Sequence, residues 1–203
     1  MIKGIIFDIG GVIVKWDNRT YFSYLGRLSG ISAKEIGRIV DNIDKRYGFE
    51  RGRISVSEFE KVLAKRIEIN VNRIRWFHFY RANMKVDRKV VDITRRLHRD
   101  YTTAYLSNID KRRHSYTRRV MDTSVFDYGF ASFAIGYVKP DRRIFEYAIR
   151  KMDMKPSELL FIDNVRENVE GARKAGLNAI LFTGAANLGR RLKKMGLLDA
   201  KYK

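Results

Sequence analysis

Apolar residues follow two different periods along this chain, and the switch between them divides it. Ile5, Ile6 and Phe7 form a run too short for a helix and rich in β-branched residues, which predicts a strand buried on both faces, as in a parallel sheet. The run stops on Asp8, and Gly10 and Gly11 follow as a turn whose backbone can approach a ligand closely. From Tyr21 to about Met84 the spacing is helical, with no second strand of comparable quality. Tyr21, Phe22, Leu25 and Leu28 mark a first helix, broken at Gly30-Ile31. Ser32 and Glu35 predict a capping box for a second, lined by Ile36, Ile39, Val40 and Ile43. After a turn over residues 48–54, Ser55 or Ser57 caps a third helix carrying Phe59, Val62, Leu63 and Ile67. Residues 70–80 read as one further helix, and its aromatics Trp76, Phe77, Phe79 and Tyr80 are expected to pack within this helical segment.

Beyond residue 85 helices and strands alternate. A helix over 90–99 feeds a strand over 101–106 that ends in Ser107-Asn108, and a helical stretch over 111–121 leads to Phe130-Ala131-Ser132-Phe133. Lys139-Pro140-Asp141 precedes a helix over 143–151. Leu159-Leu160-Phe161-Ile162 is a second buried strand, ending in Asp163-Asn164. A helix over 168–175, closed by Gly176, a strand over 178–182 and a helix over 188–195 complete the pattern. Such alternation predicts an α/β fold with a doubly wound parallel sheet. Its core is expected over residues 1–15 and 85–203, with an inserted all-helical cap over 16–84.

Composition narrows the class. The chain has 203 residues, 45% hydrophobic and 32% charged, as a soluble globular protein has. No apolar run approaches the ~20 residues of a membrane span, and the strand begins almost at Met1, so a cytoplasmic protein without a signal peptide is expected. The absence of cysteine excludes disulfides and thiolate zinc sites. His78, His98 and His114 are too far apart in sequence to suggest a metal cluster. A net charge of +19 attracts polyanions, nucleic acid first among them. The basic residues are nevertheless scattered, and no nucleic-acid-binding motif is visible, so a solvated basic surface is favoured over nucleic acid as a partner. Lys111, Arg112 and Arg113, directly after a strand end, read as crevice-rim residues or as exposed residues of a helix start.

The strand ends carry the chemistry. In an open α/β sheet the carboxyl ends of the strands form the binding crevice, which brings Asp8, Ser107-Asn108 and Asp163-Asn164 to one edge, with Lys139 on a loop between them. A carboxylate there can attack phosphorus to form an acyl phosphate. Ser107 and Asn108 can donate to phosphoryl oxygens, and Lys139 can neutralise their charge. Acids near Asp8 can hold magnesium, which takes oxygen ligands.

Four segments in order then resemble the haloacid dehalogenase (HAD) superfamily, in the branch with a helical cap after the first strand. They are Phe7-Asp8-Ile9-Gly10-Gly11-Val12, Leu106-Ser107-Asn108, Lys139-Pro140-Asp141, and Phe161-Ile162-Asp163-Asn164 running into Asn168-Val169-Glu170-Gly171-Ala172. Glu50-Arg51-Gly52-Arg53-Ile54-Ser55 is similar to a cap-helix junction of that family. The resemblance implies a Rossmann-like core and a magnesium-dependent phosphatase that acts on a small phosphomonoester through an aspartyl-phosphate. It implies Asp8 as nucleophile, with Lys139 beside it. Gly11, Ser107, Asn108 and Lys139 would bind substrate, and Asp8, the Gly10 carbonyl, Asp163 and Asn164 would bind Mg2+. Two departures stand out. Gly10 occupies the position where most phosphatases of the superfamily carry an acid–base aspartate, and Asn164 stands where a metal-binding aspartate is expected. General acid–base help contributes roughly 10²–10⁴-fold, so weakened turnover is expected unless Asp17, Asp110 or the substrate supplies the group. Asp163 and Glu167 are candidates to compensate for Asn164. Two alternatives share the scaffold: a non-catalytic protein binding anions or nucleic acid in the crevice, and a metal-independent 2-haloacid dehalogenase.

Overall fold

The computed structural model describes residues 1–199. Strand β1 (Gly4–Phe7) is wholly buried and forms the centre of a five-stranded parallel sheet. Its neighbours are β4 (Thr102–Ser107) on one side and β6 (Leu159–Asp163) on the other, with β5 (Tyr128–Ala131) and β7 (Asn178–Leu181) at the edges. Ile5 pairs with Thr103 and Leu160, which sets the register that brings the strand ends level.

A strand buried on both faces must supply apolar groups to each, and the two-residue period of β1 does so. Ile5 and Phe7 enter one core, with Val90, Ile93 and Leu97 of α5 (Arg88–Leu97) and Leu188 and Leu192 of α10 (Ala185–Lys194). Ile6 enters the other, with Ile144, Phe145 and Ala148 of α8 (Arg142–Met152) and Ala172 of α9 (Arg166–Lys174). Helix α6 (Lys111–Val120) links β4 to β5, and the short α7 (Ser132–Ile135) follows β5. The doubly wound sheet read from the sequence is the fold observed.

Four of the five helices between β1 and β4 in sequence share a separate core that includes Tyr21, Leu25, Ile36, Phe59, Leu63 and Trp76. They are α1 (Asn18–Ser29), α2 (Ala33–Tyr47), α3 (Val56–Arg66) and α4 (Trp76–Asn83). An antiparallel pair of two-residue strands, β2 (Val14–Lys15) and β3 (Lys85–Val86), forms their neck. The sequence gives no sign of this pair. Three local expectations need correction. The capping box is closed at Ser55–Glu58, whereas Ser32 caps α2 alone because Glu35 turns to pair with Arg38. Residues 70–80 are not one helix. Asn70 caps a single 3-10 turn over Val71–Arg73, and Arg75, at φ 47°, breaks the chain before α4. Phe77 does not pack inside the insert, because its ring lies under the Arg112 guanidinium, 4.4 Å away, and against Tyr116 of α6. Helix ends elsewhere fall within three residues of expectation; α9 closes on Ala175, with Gly176 at φ 93° just beyond.

Candidate active site

Asp8 is the first residue past β1, and Asp163 ends the neighbouring β6. The β1–β6 register, Phe7 opposite Ile162, makes the two acids neighbours across the strands. Both are buried, at 6% and 0% exposure, and two carboxylates so placed repel. Lys139 resolves part of that conflict. Its ammonium lies 2.7 Å from Asp8 Oδ1 and 2.7 Å from Asp163 Oδ2, and donates a third hydrogen bond to the Leu106 carbonyl at 2.9 Å. All three ammonium protons are thereby used.

Lys139 comes from a loop, and a loop lysine needs fixing in place. Asn108 does this from the end of β4: its carboxamide oxygen accepts from the Lys139 backbone N–H at 2.8 Å, and its amide donates to the Lys139 carbonyl at 3.0 Å. Asp163 is held in turn by the Asn168 amide at 3.0 Å and by the Val165 N–H at 2.8 Å. Burial pushes the Asp8 carboxyl up to about 7; Lys139 pulls it back and Asp163 pushes it up further. Burial acts to lower the Lys139 ammonium, but the two carboxylates outweigh it and hold it above its ordinary value. With both acids ionised the trio carries two negative charges and one positive.

The other expected residues lie around this trio. Ser107 is the last residue of β4 and buried. Gly10 is exposed, and a Cβ built there would meet no atom within 4 Å. Gly11 has φ 82°, and a Cβ on it would fall within 2.4 Å of the Asn164 amide. Only glycine lets Asn164 lie against the loop after Asp8. Asp17 and Asp110 are already engaged. Asp17 caps α1 and pairs with Arg19, while Asp110 caps α6 and pairs with Arg113. Glu167 is exposed in the first turn of α9. Two contributors escape sequence reasoning: the Leu106 carbonyl has no side-chain signature, and Asn168 lies within the fourth motif but shows its contact with Asp163 only in the folded chain.

Do these residues suit a cation? Among the described residues no three His, Cys, Asp or Glu side chains cluster as a ready cage. The available donors are instead two carboxylates, the Gly10 carbonyl and the Asn164 carboxamide, all oxygens. The net negative charge of a buried trio and the approach of Asn164 permitted by Gly11 fit a small hard cation that keeps several of its waters. Of Lys111, Arg112 and Arg113, the first two are exposed, but Arg113 is largely buried, its side chain 12% exposed. No helix is long and apolar enough to cross a membrane among the described residues.

The chain is 26% identical over 196 residues to a sesquiterpene phosphatase of Aspergillus oryzae, covering 95% of this chain and 96% of that one. It is 27% identical over 193 residues to a D-ribitol-5-phosphate phosphatase of Bacteroides thetaiotaomicron, covering 87% and 89%. A drimenol cyclase of Aspergillus calidoustus is 26% identical over 199 residues, 95% of this chain, which spans only 36% of that protein. Among solved structures, a HAD-like family hydrolase from Porphyromonas gingivalis superposes with a TM-score of 0.75 at 25% identity, over 95% of this chain and 98% of its own. A HAD family enzyme from Bacteroides thetaiotaomicron, solved with magnesium and inorganic phosphate, shares the fold with a TM-score of 0.73 at 18% identity, over 89% and 93%. The model of the haloacid dehalogenase-like hydrolases matches residues 2–176, and the chain belongs to that family.

Proposed function

We propose that this hydrolase is a magnesium-dependent phosphatase of small phosphomonoesters, with Asp8 as the nucleophile. The observation that carries the reading is the buried Asp8–Lys139–Asp163 trio at the carboxyl edge of the sheet. Two relatives matched over most of their length are named as phosphatases, and a structural neighbour was solved with magnesium and phosphate, which supports the same reaction class.

An Asp8 carboxylate oxygen attacks phosphorus, forming the Asp8–phosphate bond as the bond to the ester oxygen breaks. The leaving alkoxide takes a proton and departs as the alcohol. Water then attacks phosphorus, releasing inorganic phosphate and regenerating the carboxylate. Lys139 holds Asp8 in place and offsets negative charge beside the transferring group. Ser107 and the backbone at Gly11 border the space that the phosphoryl oxygens would occupy. The Asn108 carboxamide acts one step back, through the Lys139 backbone. Asp8, Asp163, the Gly10 carbonyl and Asn164 would hold the cation, which when bound neutralises phosphoryl charge. With no side chain at Gly10 and with Asp17 and Asp110 engaged elsewhere, solvent or the substrate must protonate the leaving group. Slow turnover follows, short by roughly 10²–10⁴-fold of an enzyme with that acid.

A screen of phosphorylated metabolites for phosphate release, with magnesium and with chelator, tests the proposal. Release is expected only with magnesium, and Asp8→Asn should abolish it while leaving the melting curve cooperative. Halide release from 2-haloacids without metal, and no phosphate release, would refute it.

A further inference from the structure

One cluster of buried charge is not used by this chemistry. Arg113 belongs to the first turns of α6, on the sheet core, five residues beyond Asn108, yet its guanidinium is inserted into the helical insert. Its Nε donates to Asp110 of the core, and its Nη2 donates to Glu50 of the insert at 2.9 Å. The guanidinium carbon lies 5.4 Å from the Trp76 ring centre, 5.8 Å from Tyr80 and 6.0 Å from Phe49, three aromatic residues of the insert. The Glu50 strap is fastened a second time: its carbonyl accepts from Ser132 Oγ at 2.5 Å, and Ser132 Oγ in turn accepts from the Ile109 N–H, next to Asn108, at 2.9 Å. Two residues on, a Cβ at Gly52 would fall 2.4 Å from the Phe133 carbonyl, so the strap lies flat on the core. Above the guanidinium a cavity of about 410 Å³ is lined by insert residues including Phe22, Asp44, Phe59 and Glu50.

We propose that Arg113 is a positioning residue: a core-anchored cation on which the insert closes, through Glu50 and the aromatic cage, fixing the insert over the reactive edge of the sheet. The inference rests on the phosphatase reading for its effect on catalysis, but not for its effect on shape. A guanidinium suits the task because its planar fork meets two carboxylates in different directions while its faces stack on rings. When the insert lifts, Asp110 stays with Arg113, so the core retains a paired charge and only Glu50 and the rings separate from it. Reclosing restores one desolvated ion pair and a cation–aromatic contact, which together with the Ser132–Glu50 hydrogen bond make the closed arrangement specific in register. A group that stabilises closure equally before and during phosphoryl transfer changes KM and leaves kcat alone.

The chain has no native cysteine, so labels can be placed at will. Lys65→Cys on α3 and Lys151→Cys on α8 are both exposed and report the distance between insert and core by pulsed electron resonance of attached spin labels. The doubly labelled protein should give one main distance. Glu50→Gln, which spares the Asp110–Arg113 pair, should add a second, longer distance by shifting the closed-to-open ratio about tenfold or more. Arg113→Gln should do the same, and Arg113→Lys, which cannot span both carboxylates, should fall between. With the phosphomonoester found by the screen, Glu50→Gln should raise KM about tenfold at nearly constant kcat. An unchanged single distance in Glu50→Gln overturns the proposal, and so does a drop in melting temperature with distance and KM unmoved, which would make the pair merely structural. A protein that releases no phosphate but still shows the longer distance would sink the phosphatase reading and leave Arg113 in its role.

Discussion

Replacing Lys139 by methionine keeps a long unbranched side chain and deletes the charge between Asp8 and Asp163. Deleting one partner of a buried ion pair costs about 3–5 kcal/mol, because the remaining charge stays buried and unpaired. Here two carboxylates lose the same partner, each 2.7 Å away. For a chain of this length 1 kcal/mol moves the melting temperature by about 2–4 °C, so a fall of about 6–20 °C is expected. The sign of its pH dependence follows from Asp8. Its carboxyl is pushed up to about 7 with Lys139 present and rises further without it. A carboxyl whose folded-state value lies above its unfolded value contributes stability below the unfolded value, about 3.9, and loses it as pH rises through the folded one. The ammonium, held above its ordinary value, keeps its contribution throughout this range and loses it only in strong alkali. Lys139→Met should therefore melt below wild type by less at pH 5 than at pH 8, with millimolar magnesium restoring part of the loss at pH 8. Thermal melts of both proteins at the two pH values, with and without magnesium, make the measurement. A deficit of equal size at both pH values, or none at pH 8, would refute the electrostatic account of the trio.

Gly10→Asp has open space for its side chain and a φ outside the left-handed region, so it should fold normally. By supplying the missing acid–base group it should raise kcat by roughly tenfold or more, read as steady-state phosphate release. Gly11→Ala should cost about 1–3 kcal/mol of stability in denaturant melts and depress activity, from its φ of 82° and the collision with Asn164. His114, held below its ordinary value by burial and by Arg118, should show an imidazole titration midpoint under 6.5 by NMR. Its neutral form is the one the fold favours, so its contribution to stability is present above pH 6.5 and fades as pH falls through the lower folded value.

The parts of the molecule legible in the sequence are those that repeat a period or end a run. Ile5-Ile6-Phe7 and Leu159–Ile162 announce buried strands because each residue must fill one of two cores, and an acid closing such a run stands out. The β2–β3 neck is illegible for the opposite reason: two residues per strand carry no period, and the pair is joined by backbone hydrogen bonds that any side chain permits. The break at Arg75 is equally silent, since no glycine or proline marks its positive φ. Charge hides most. Nothing in Lys111-Arg112-Arg113 distinguishes the residue largely buried in the insert from its two exposed neighbours, because the distinction is made by Glu50 more than sixty positions away. The resemblance puts Asn108 on phosphate, whereas its carboxamide braces the Lys139 backbone, a role visible only once the loop is folded against β4.

The electrostatics of the reactive edge bear directly on which substrates it can accept. The parallel pairing of β1 with β6 forces Asp8 and Asp163 together, and with both ionised one lysine leaves the trio negative by one charge. A phosphomonoester dianion brought against that trio would face net repulsion in a buried site, where opposing charges act at low dielectric. Asn164, in place of a third carboxylate, lessens the repulsion but removes a strong ligand for the cation that would offset it. This chain should therefore bind magnesium more weakly than a site with an aspartate at that position, and its turnover should depend steeply on magnesium concentration. Asn164→Asp should shift half-maximal activation to lower magnesium. If the half-maximal concentration does not move, Asn164 lies outside the cation's reach, and the donor set drawn here is wrong by that residue.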